Sequence, residues 1–213
     1  MKNQKNKIFG SIIAVVLLIG IVFIINDNRK ASHVHSSANE LRQNNQILVN
    51  DTTNEPSSHT NDIIRYHGDL ANNYNTVTEL TYDSEAIYKV EVINSKSFEY
   101  EGVVFTVSTA NVVENYKGDV ISSFVNILET GGNYNNTEYV FEDSSVLKSG
   151  DKAVVYLKKY EGPIPEAQGA FVISGVYQGK FNIDEASGDL LVPAAVEQQE
   201  LTEVRSLIDL NLE

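Results

Sequence analysis

The residues that most invite a chemical interpretation are a lysine and three glycines between residues 117 and 132. Lys117 precedes Gly118, and Gly131-Gly132 follows the next apolar run. A phosphate-binding loop needs the form G-x-x-x-x-G-K-[ST] between a strand and a helix, and a dinucleotide-binding fingerprint needs a third glycine. Neither form is present here, because Lys117 stands before a single glycine and a β-type run follows. The pattern therefore predicts two turns around a strand and no nucleotide site.

Groups that could act as nucleophile or base do not form a recognisable set. Ser174-Gly175 lacks the G-x-S-x-G context of a serine hydrolase, and His67 is the only histidine near the predicted domain. Carboxylates are plentiful, but nothing selects one pair for glycoside cleavage. The chain has no cysteine, which excludes disulfides, thiolate metal sites and cysteine nucleophiles. The sequence therefore predicts no catalytic residues, no cofactor and no enzyme activity.

Two segments contain potential metal ligands. His33 and His35 are alternate residues, but they lie in a polar segment without other ligands. The acidic segment 182–190 could be compared with an EF-hand loop by placing Gly188 at the sixth position. The apolar Ile183 then takes the first ligand position, where an oxygen ligand is needed. The sequence predicts no metal site, and segment 182–190 is interpreted as a hairpin turn.

Tyrosine is the residue type best suited to form a binding surface in this chain. Of the 11 tyrosines, Tyr116 and Tyr134 lie beside predicted turns, and Tyr177 follows the Ser174-Gly175 bend. Exposed tyrosines provide rigid, amphipathic contact area of the kind found in binding loops. Tyr116, Tyr134 and Tyr177 are therefore the predicted partner-binding residues.

The charge of the chain limits the kinds of partner. Five of the 16 basic residues and one of the 29 acidic residues precede Ala31, which leaves 11 basic against 28 acidic residues and a formal charge of −17. Nucleic acid binding requires a basic footprint that releases counterions, so nucleic acid is an unsuitable partner. The same charge disfavours contact with an anionic membrane surface and keeps an exported domain soluble.

An apolar segment lies near the N-terminus of the chain. Residues 8–25 contain 18 consecutive uncharged and mainly apolar residues, and a helix of that length spans about 27 Å, close to the thickness of a bilayer core. Lys2, Lys5 and Lys7 precede the run, so residues 1–7 are predicted to be cytoplasmic and the rest extracytoplasmic. The alternative is a cleaved signal peptide, but the run is long and no small-x-small site follows it. We therefore predict an uncleaved single-pass anchor that contacts the lipid bilayer of the cell membrane.

The remainder of the chain divides into a stalk and a folded domain. Residues 26–62 are rich in polar residues without periodicity, which predicts a flexible extracytoplasmic stalk. Residues 63–213 carry strand and turn patterns. Strands are predicted at residues 86–93, 103–113, 120–128, 138–141, 152–160, 170–176 and, as the last strand, 180–183. Turns are predicted between them, including residues 94–97 and 131–133.

Two helices flank the predicted strands. The capping-box spacing of Thr76 and Glu79 predicts a short helix that ends at Asp83-Ser84. Helical spacing of Val204, Leu207 and Ile208 predicts a C-terminal packing helix with Thr202 as its cap. Strands at short intervals predict a mainly β fold, a small OB-like antiparallel β-barrel with one or two short flanking helices, preceded by the transmembrane helix.

The order of motifs resembles a family of exported bacterial domains of unknown function. The motifs are YDSEAIYKVEV, VVENYKGD, LETGG, LKSGDKAVVYL and ISGVYQGKFNID, and the similarity covers roughly residues 76–190. The same order is also similar to the netrin-like barrel of the tissue inhibitors of metalloproteinases, a variant of the OB-fold. That resemblance implies an OB-like barrel. The inhibitory mechanism of that family uses a disulfide-bonded N-terminal cysteine, and this chain has no cysteine.

These observations predict a membrane-anchored extracytoplasmic binding or interaction module. Its partner would be a protein or polymer of the cell envelope. Two alternatives remain open at this point. One is an enzyme that acts on a cell-envelope polymer, and the other is an inhibitor or immunity protein that presents a barrel edge to a partner enzyme.

Overall fold

The computed structural model describes residues 21–22, 62–119, 122–194 and 201–212. The strands are β1 (Ile21–Val22), β2 (Asp62–Tyr66), β3 (Asp69–Leu70), β4 (Ala86–Tyr100), β5 (Val103–Lys117), β6 (Phe124–Tyr134), β7 (Thr137–Phe141), β8 (Lys152–Lys159), β9 (Phe171–Ile173), β10 (Lys180–Asp184) and β11 (Leu190–Pro193). The single α-helix of these residues is α1 (Val77–Asp83), and 3-10 helices span Pro165–Ala167, Glu185–Ser187, Leu201–Glu203 and Leu207–Leu210.

Five strands close into a barrel. Around it, β4 pairs with β5, β5 with β6, β6 with β9, β9 with β8, and β8 again with β4. All of these pairs are antiparallel except β6–β9. Strands β10 and β11 extend the sheet beyond β8, β7 and β2 extend it beyond β6, and β1 pairs with β3. The prediction of a mainly β protein with a small barrel and a short helix is confirmed.

Apolar side chains fill the barrel and also cover it from outside. The interior cluster includes Val90, Ile127 and Val155, all fully buried. A second cluster lies under α1 and includes Leu80 and Tyr156. Because both faces of several strands are covered, a buried strand here carries apolar residues on two faces rather than one.

The two faces of β5 are arranged differently from a simple polar-out pattern. The sequence places Phe105 and its apolar neighbours opposite Thr106 and Ser108, and Phe105 packs in a third cluster with Tyr160 and Ile164. Thr106 and Ser108 are nevertheless buried as well. Their hydroxyls are satisfied, since Thr106 Oγ1 donates to the Gly131 carbonyl at 2.7 Å and Ser108 Oγ donates to the Leu147 carbonyl at 3.1 Å.

Helix α1 begins where the sequence predicts. The Glu79 amide donates to Thr76 Oγ1 at 3.1 Å, which satisfies one of the free N–H groups of the first turn. The reciprocal contact of a capping box is shifted by one residue, because Glu79 Oε2 accepts from the amide of Asn75 rather than from that of Thr76. The helix ends at Asp83, with Ser84 as its C-cap.

Two predicted turns are wrong because the strands continue through them. Residues 94–97 belong to β4, which takes up a register shift between Val92 and Asn94 and turns only at residues 101–102. Gly131-Gly132 belongs to β6, and the turn lies at Asn135-Asn136, whose φ angles are 50° and 62°. This pair of positive φ angles matches the hairpin turns that suit the twist of strands.

The C-terminal region also differs from the prediction. Strand β11 follows β10, so 180–183 is not the last strand. The predicted C-terminal helix is replaced by two 3-10 helices. Ser206, rather than Thr202, caps the second of them, because Asp209 accepts from the amides of Arg205 and Ser206 at 2.9 Å each.

The predicted cytoplasmic tail, anchor and stalk lie outside the described residues, apart from Ile21–Val22 in β1 and Asp62 at the start of β2. Their assignment to residues 1–7, 8–25 and 26–62 therefore stays a prediction. Within the part of the chain that the structure describes, no helix is long and apolar enough to span a bilayer.

Candidate functional site

One end of the barrel is closed by the connection between β7 and β8. Leu147 in this connection is buried in the interior cluster. The Leu147 carbonyl accepts from the hydroxyls of Ser95 and Ser108 at 2.9 and 3.1 Å, and its amide donates to Glu129 Oε2 at 2.8 Å. Segment 142–148, which we call the plug loop, is therefore fixed by polar contacts that originate inside the barrel.

A buried ion pair supports the plug loop. Lys180 Nζ lies 2.7 Å from Glu129 Oε1, and the two side chains are only 2% and 4% exposed. Lys180 Nζ also donates to the Ser145 carbonyl at 2.6 Å. Burial of two charges costs free energy that the attraction between them offsets only when the remaining hydrogen-bonding groups are satisfied. The second oxygen of the Glu129 carboxylate is satisfied by the Leu147 amide. The ion pair and the plug loop therefore form one hydrogen-bonded unit.

This pair is not apparent from the motifs of the sequence. The signal for Glu129 was the alternation along β6, because Val125 and Ile127 point into the barrel and Glu129 is the next residue of that face. No comparable local signal identifies Lys180, the first residue of β10. Its partner lies 51 residues away in the chain.

The opposite end of the barrel is open to a pocket of about 230 Å³. Its walls are formed by residues of the interior cluster, namely Tyr88, Val112, Val125 and Phe171. Its rim is formed by Asp119, Ser122, Phe124, Asn126 and Gly169. We call this cavity the barrel-mouth pocket. Phe124 is 53% exposed, so a large aromatic side chain faces solvent beside an opening into the core.

The polar groups of the barrel-mouth pocket include those of Tyr88 and Asp119. The Tyr88 hydroxyl donates to the Asp119 carbonyl at 3.1 Å. Burial raises the pKa of Tyr88, and the neighbouring Asp119 carboxylate raises it further, so this tyrosine stays neutral at physiological pH. Among the described residues that line the pocket, Asp119 is the one that is acidic. The arrangement suits an apolar group that carries a hydrogen-bond donor or a positive charge at its edge.

A second depression, a polar groove of about 410 Å³, lies near the plug loop. It is lined by Ser145, Val146, Lys148, Gly150, Asp151, Lys152, Asn182, Ile183 and Glu185. Its charged side chains are engaged locally, since Lys152 pairs with Glu185 and Lys148 Nζ lies 3.4 Å from Glu138 Oε1. The groove therefore presents mixed and largely compensated charge.

The three predicted binding tyrosines do not come together. The Tyr116 hydroxyl donates to Glu114 Oε2 at 2.6 Å, whereas Tyr134 ends β6 beside the hairpin turn. These two residues lie beyond opposite ends of the β5–β6 ladder. Tyr177 follows β9 and places its ring 6.2 Å from that of Phe141. None of the three lines the barrel-mouth pocket, and their role in partner binding stays a prediction.

His67 contacts an acid, but at the surface. Its Nδ1 atom lies 3.3 Å from Glu142 Oε2, with the His67 side chain 67% exposed, and the Gly68 amide donates to the other oxygen of Glu142 at 2.9 Å. The pair lines none of the cavities described above. No cluster of three potential metal ligands occurs within the described ranges, and His33 and His35 lie outside them.

The fold and these sites define a small closed β-barrel domain with one plugged and one open end. Comparison of the chain with protein-family models, curated proteins and solved structures finds no match.

Proposed function

We propose that this chain is a membrane-anchored extracytoplasmic binding module built on an OB-like barrel, with the barrel-mouth pocket as its binding site. The strand order supports an OB-like description. The barrel strands β4, β5, β6, β8 and β9 are numbers one to five along the chain. Around the barrel their order is one, two, three, five, four, and strands three (β6) and five (β9) are parallel. This is the arrangement of the five-stranded Greek-key barrel of OB-folds.

The face that OB-folds commonly use for ligands is covered in this chain. OB-folds bind oligonucleotides and oligosaccharides on the face of the second and third strands. Here the outer side of β5 and β6 packs against the connection between β8 and β9, where Ile164 and Ala167 are fully buried. Together with the acidic charge, this argues for a partner other than nucleic acid and for a different binding surface.

The observation that carries the proposal is the apolar pocket at the barrel mouth, whose walls include the half-buried Val112 and Phe171 beside the exposed Phe124. A pocket with apolar walls and a few polar rim groups is the usual form of a binding site. Its volume of about 230 Å³ accommodates one large side chain rather than a cofactor. The partner we infer is a protein that inserts an apolar side chain and places a basic group near Asp119, since the domain around the pocket is strongly acidic.

The proposal is tested by affinity capture from detergent-solubilised membranes with the full-length chain as bait. We expect Phe124→Ala to reduce recovery of the specific partner at least about tenfold, because it removes an aromatic contact at the rim. Ile208→Ala is the matched control, since Ile208 is 85% exposed and lines none of the cavities described above. Equal recovery with both variants would show that the pocket is not the binding site.

The two alternative functions make different predictions in the same experiment. An inhibitor or immunity protein would recover an enzyme whose activity falls on binding. An enzyme that acts on a cell-envelope polymer would release soluble fragments from purified envelope, and Phe124→Ala would change the rate of that release.

A further inference from the structure

A third, much smaller cavity lies beside the buried ion pair. Its volume is about 10 Å³, and the groups that matter in its lining are Glu129, Thr130, Ser144 and Lys180. The rings of Phe141 and Tyr177 also line it. The cavity lies where the plug loop meets β6 and β10, and it is separate from the barrel-mouth pocket.

Two buried polar groups at this cavity have unused hydrogen-bonding capacity. A lysine ammonium has three N–H donors, and the described contacts of Lys180 Nζ use two of them, on Glu129 Oε1 and the Ser145 carbonyl. Thr130 is 5% exposed, and its Oγ1 is buried without a hydrogen-bond partner. Buried polar groups in folded proteins are almost always hydrogen-bonded, so Thr130 Oγ1 requires a partner, and the third N–H of Lys180 has the capacity for one more acceptor.

We propose that this cavity binds one water molecule, which accepts a hydrogen bond from Lys180 and hydrogen-bonds with the Thr130 hydroxyl. A cavity of about 10–15 Å³ holds a single water, and such a water needs two to four polar partners. The size excludes larger ligands. The water completes the polar network of Glu129, Lys180 and the plug loop, so that every strong donor and acceptor in it is satisfied.

Thr130→Val tests the proposal by the sign of its effect. Valine has the shape of threonine without the hydroxyl. If Thr130 Oγ1 holds the water, the variant weakens the network, and we expect the Tm of the full chain in detergent to fall by about 2–4 °C. If the hydroxyl is truly unpaired, its removal leaves the Tm unchanged or raises it, and that result would overturn the proposal.

The control and a direct measurement accompany this variant. Thr109→Val makes the same substitution in β5 at a half-exposed position, where Oγ1 contacts Asn126 Oδ1 at 2.8 Å, and we expect its Tm to stay within about 1 °C. A high-resolution crystal structure of the chain is expected to show density within about 3 Å of both Lys180 Nζ and Thr130 Oγ1. A well-ordered cavity without such density would also overturn the proposal.

Discussion

At the scale of single residues, the buried pair Glu129–Lys180 is the most consequential feature of the domain. A buried ion pair is weak evidence for stability in itself, because desolvation offsets much of the attraction. Its importance here comes from what it holds. The Glu129 carboxylate accepts a hydrogen bond from the Leu147 amide, and the Lys180 ammonium donates one to the Ser145 carbonyl. The pair therefore fixes the path of the plug loop across the barrel end.

Lys180→Met tests this role. The substitution leaves the Glu129 carboxylate buried without its counter-charge, and we expect the free energy of unfolding to fall by about 3–5 kcal/mol. Glu129→Leu combined with Lys180→Met removes both charges. We expect this double variant to lose less free energy of unfolding than Lys180→Met alone. Urea unfolding measures both. A double variant that is less stable than the single variant would show that Glu129 stabilises the domain, through its hydrogen bond from the Leu147 amide, by more than its unpaired charge costs.

At the scale of elements, the glycines of β6 allow its close approach to neighbouring strands. Gly132 has a φ angle of 119°, and a Cβ atom there would lie 2.0 Å from Thr106 Oγ1. Gly131 is similar, with a Cβ position 2.5 Å from the Tyr139 carbonyl oxygen. These residues therefore solve a packing problem inside a strand, where the sequence pattern indicated a turn.

Gly132→Ala is expected to destabilise the domain by about 3 kcal/mol, because backbone strain and overpacking add together. Gly150→Ala is the matched control, since Gly150 also has a positive φ angle of 91° but has no atom within 4 Å of its Cβ position. We expect this control to cost only about 1 kcal/mol. Equal losses in urea unfolding would mean that the close contact at Gly132 relaxes without cost.

Helix α1 is attached to the barrel by a carboxylate. Asp83 Oδ2 accepts from Lys158 Nζ and from the Tyr74 hydroxyl. These two hydrogen bonds, that of Lys158 first, lower the pKa of Asp83 below its ordinary value of 3.8. A lowered pKa contributes stability above the unfolded value, and this contribution is lost as the pH falls through the folded value.

We therefore expect Asp83→Asn to be less stable than the wild type at pH 7. The difference should shrink as the pH falls below about 4 and through the lowered pKa at which the folded wild-type carboxylate becomes protonated. Thermal unfolding between pH 2 and pH 7 measures the difference. A constant difference between the two proteins across this range would show that the charge of Asp83 does not contribute.

At the scale of the whole molecule, the predicted topology separates a basic N-terminus from an acidic body. Protease added to intact cells is expected to remove the domain, and full protection would contradict an extracytoplasmic position. Replacing Lys2, Lys5 and Lys7 by glutamine should increase the protected fraction, because positive residues before the apolar run set its orientation. A cytoplasmic protein that remains intact in the same cells is the control for lysis.

The sequence by itself determined the features that depend on neighbouring residues. The cap of α1, the turn at Gly118 and the existence of most strands were predicted correctly, because each follows from local side-chain chemistry or from alternation over a few residues. Strand ends were less well predicted. Residues 94–97 have turn-like composition, yet pairing with the opposite strand of the hairpin overrides it.

The tertiary structure alone decided how the barrel closes and which chemistry it encloses. Closure depends on the parallel pairing of β6 with β9, which joins residues far apart in the chain. The inward position of Thr106 and Ser108 depends on acceptors from other segments, and Glu129 meets Lys180 only after closure. Alternation shows that a strand has two different faces. Which of them lies inside, and what it contacts there, is set by non-local packing and hydrogen bonding.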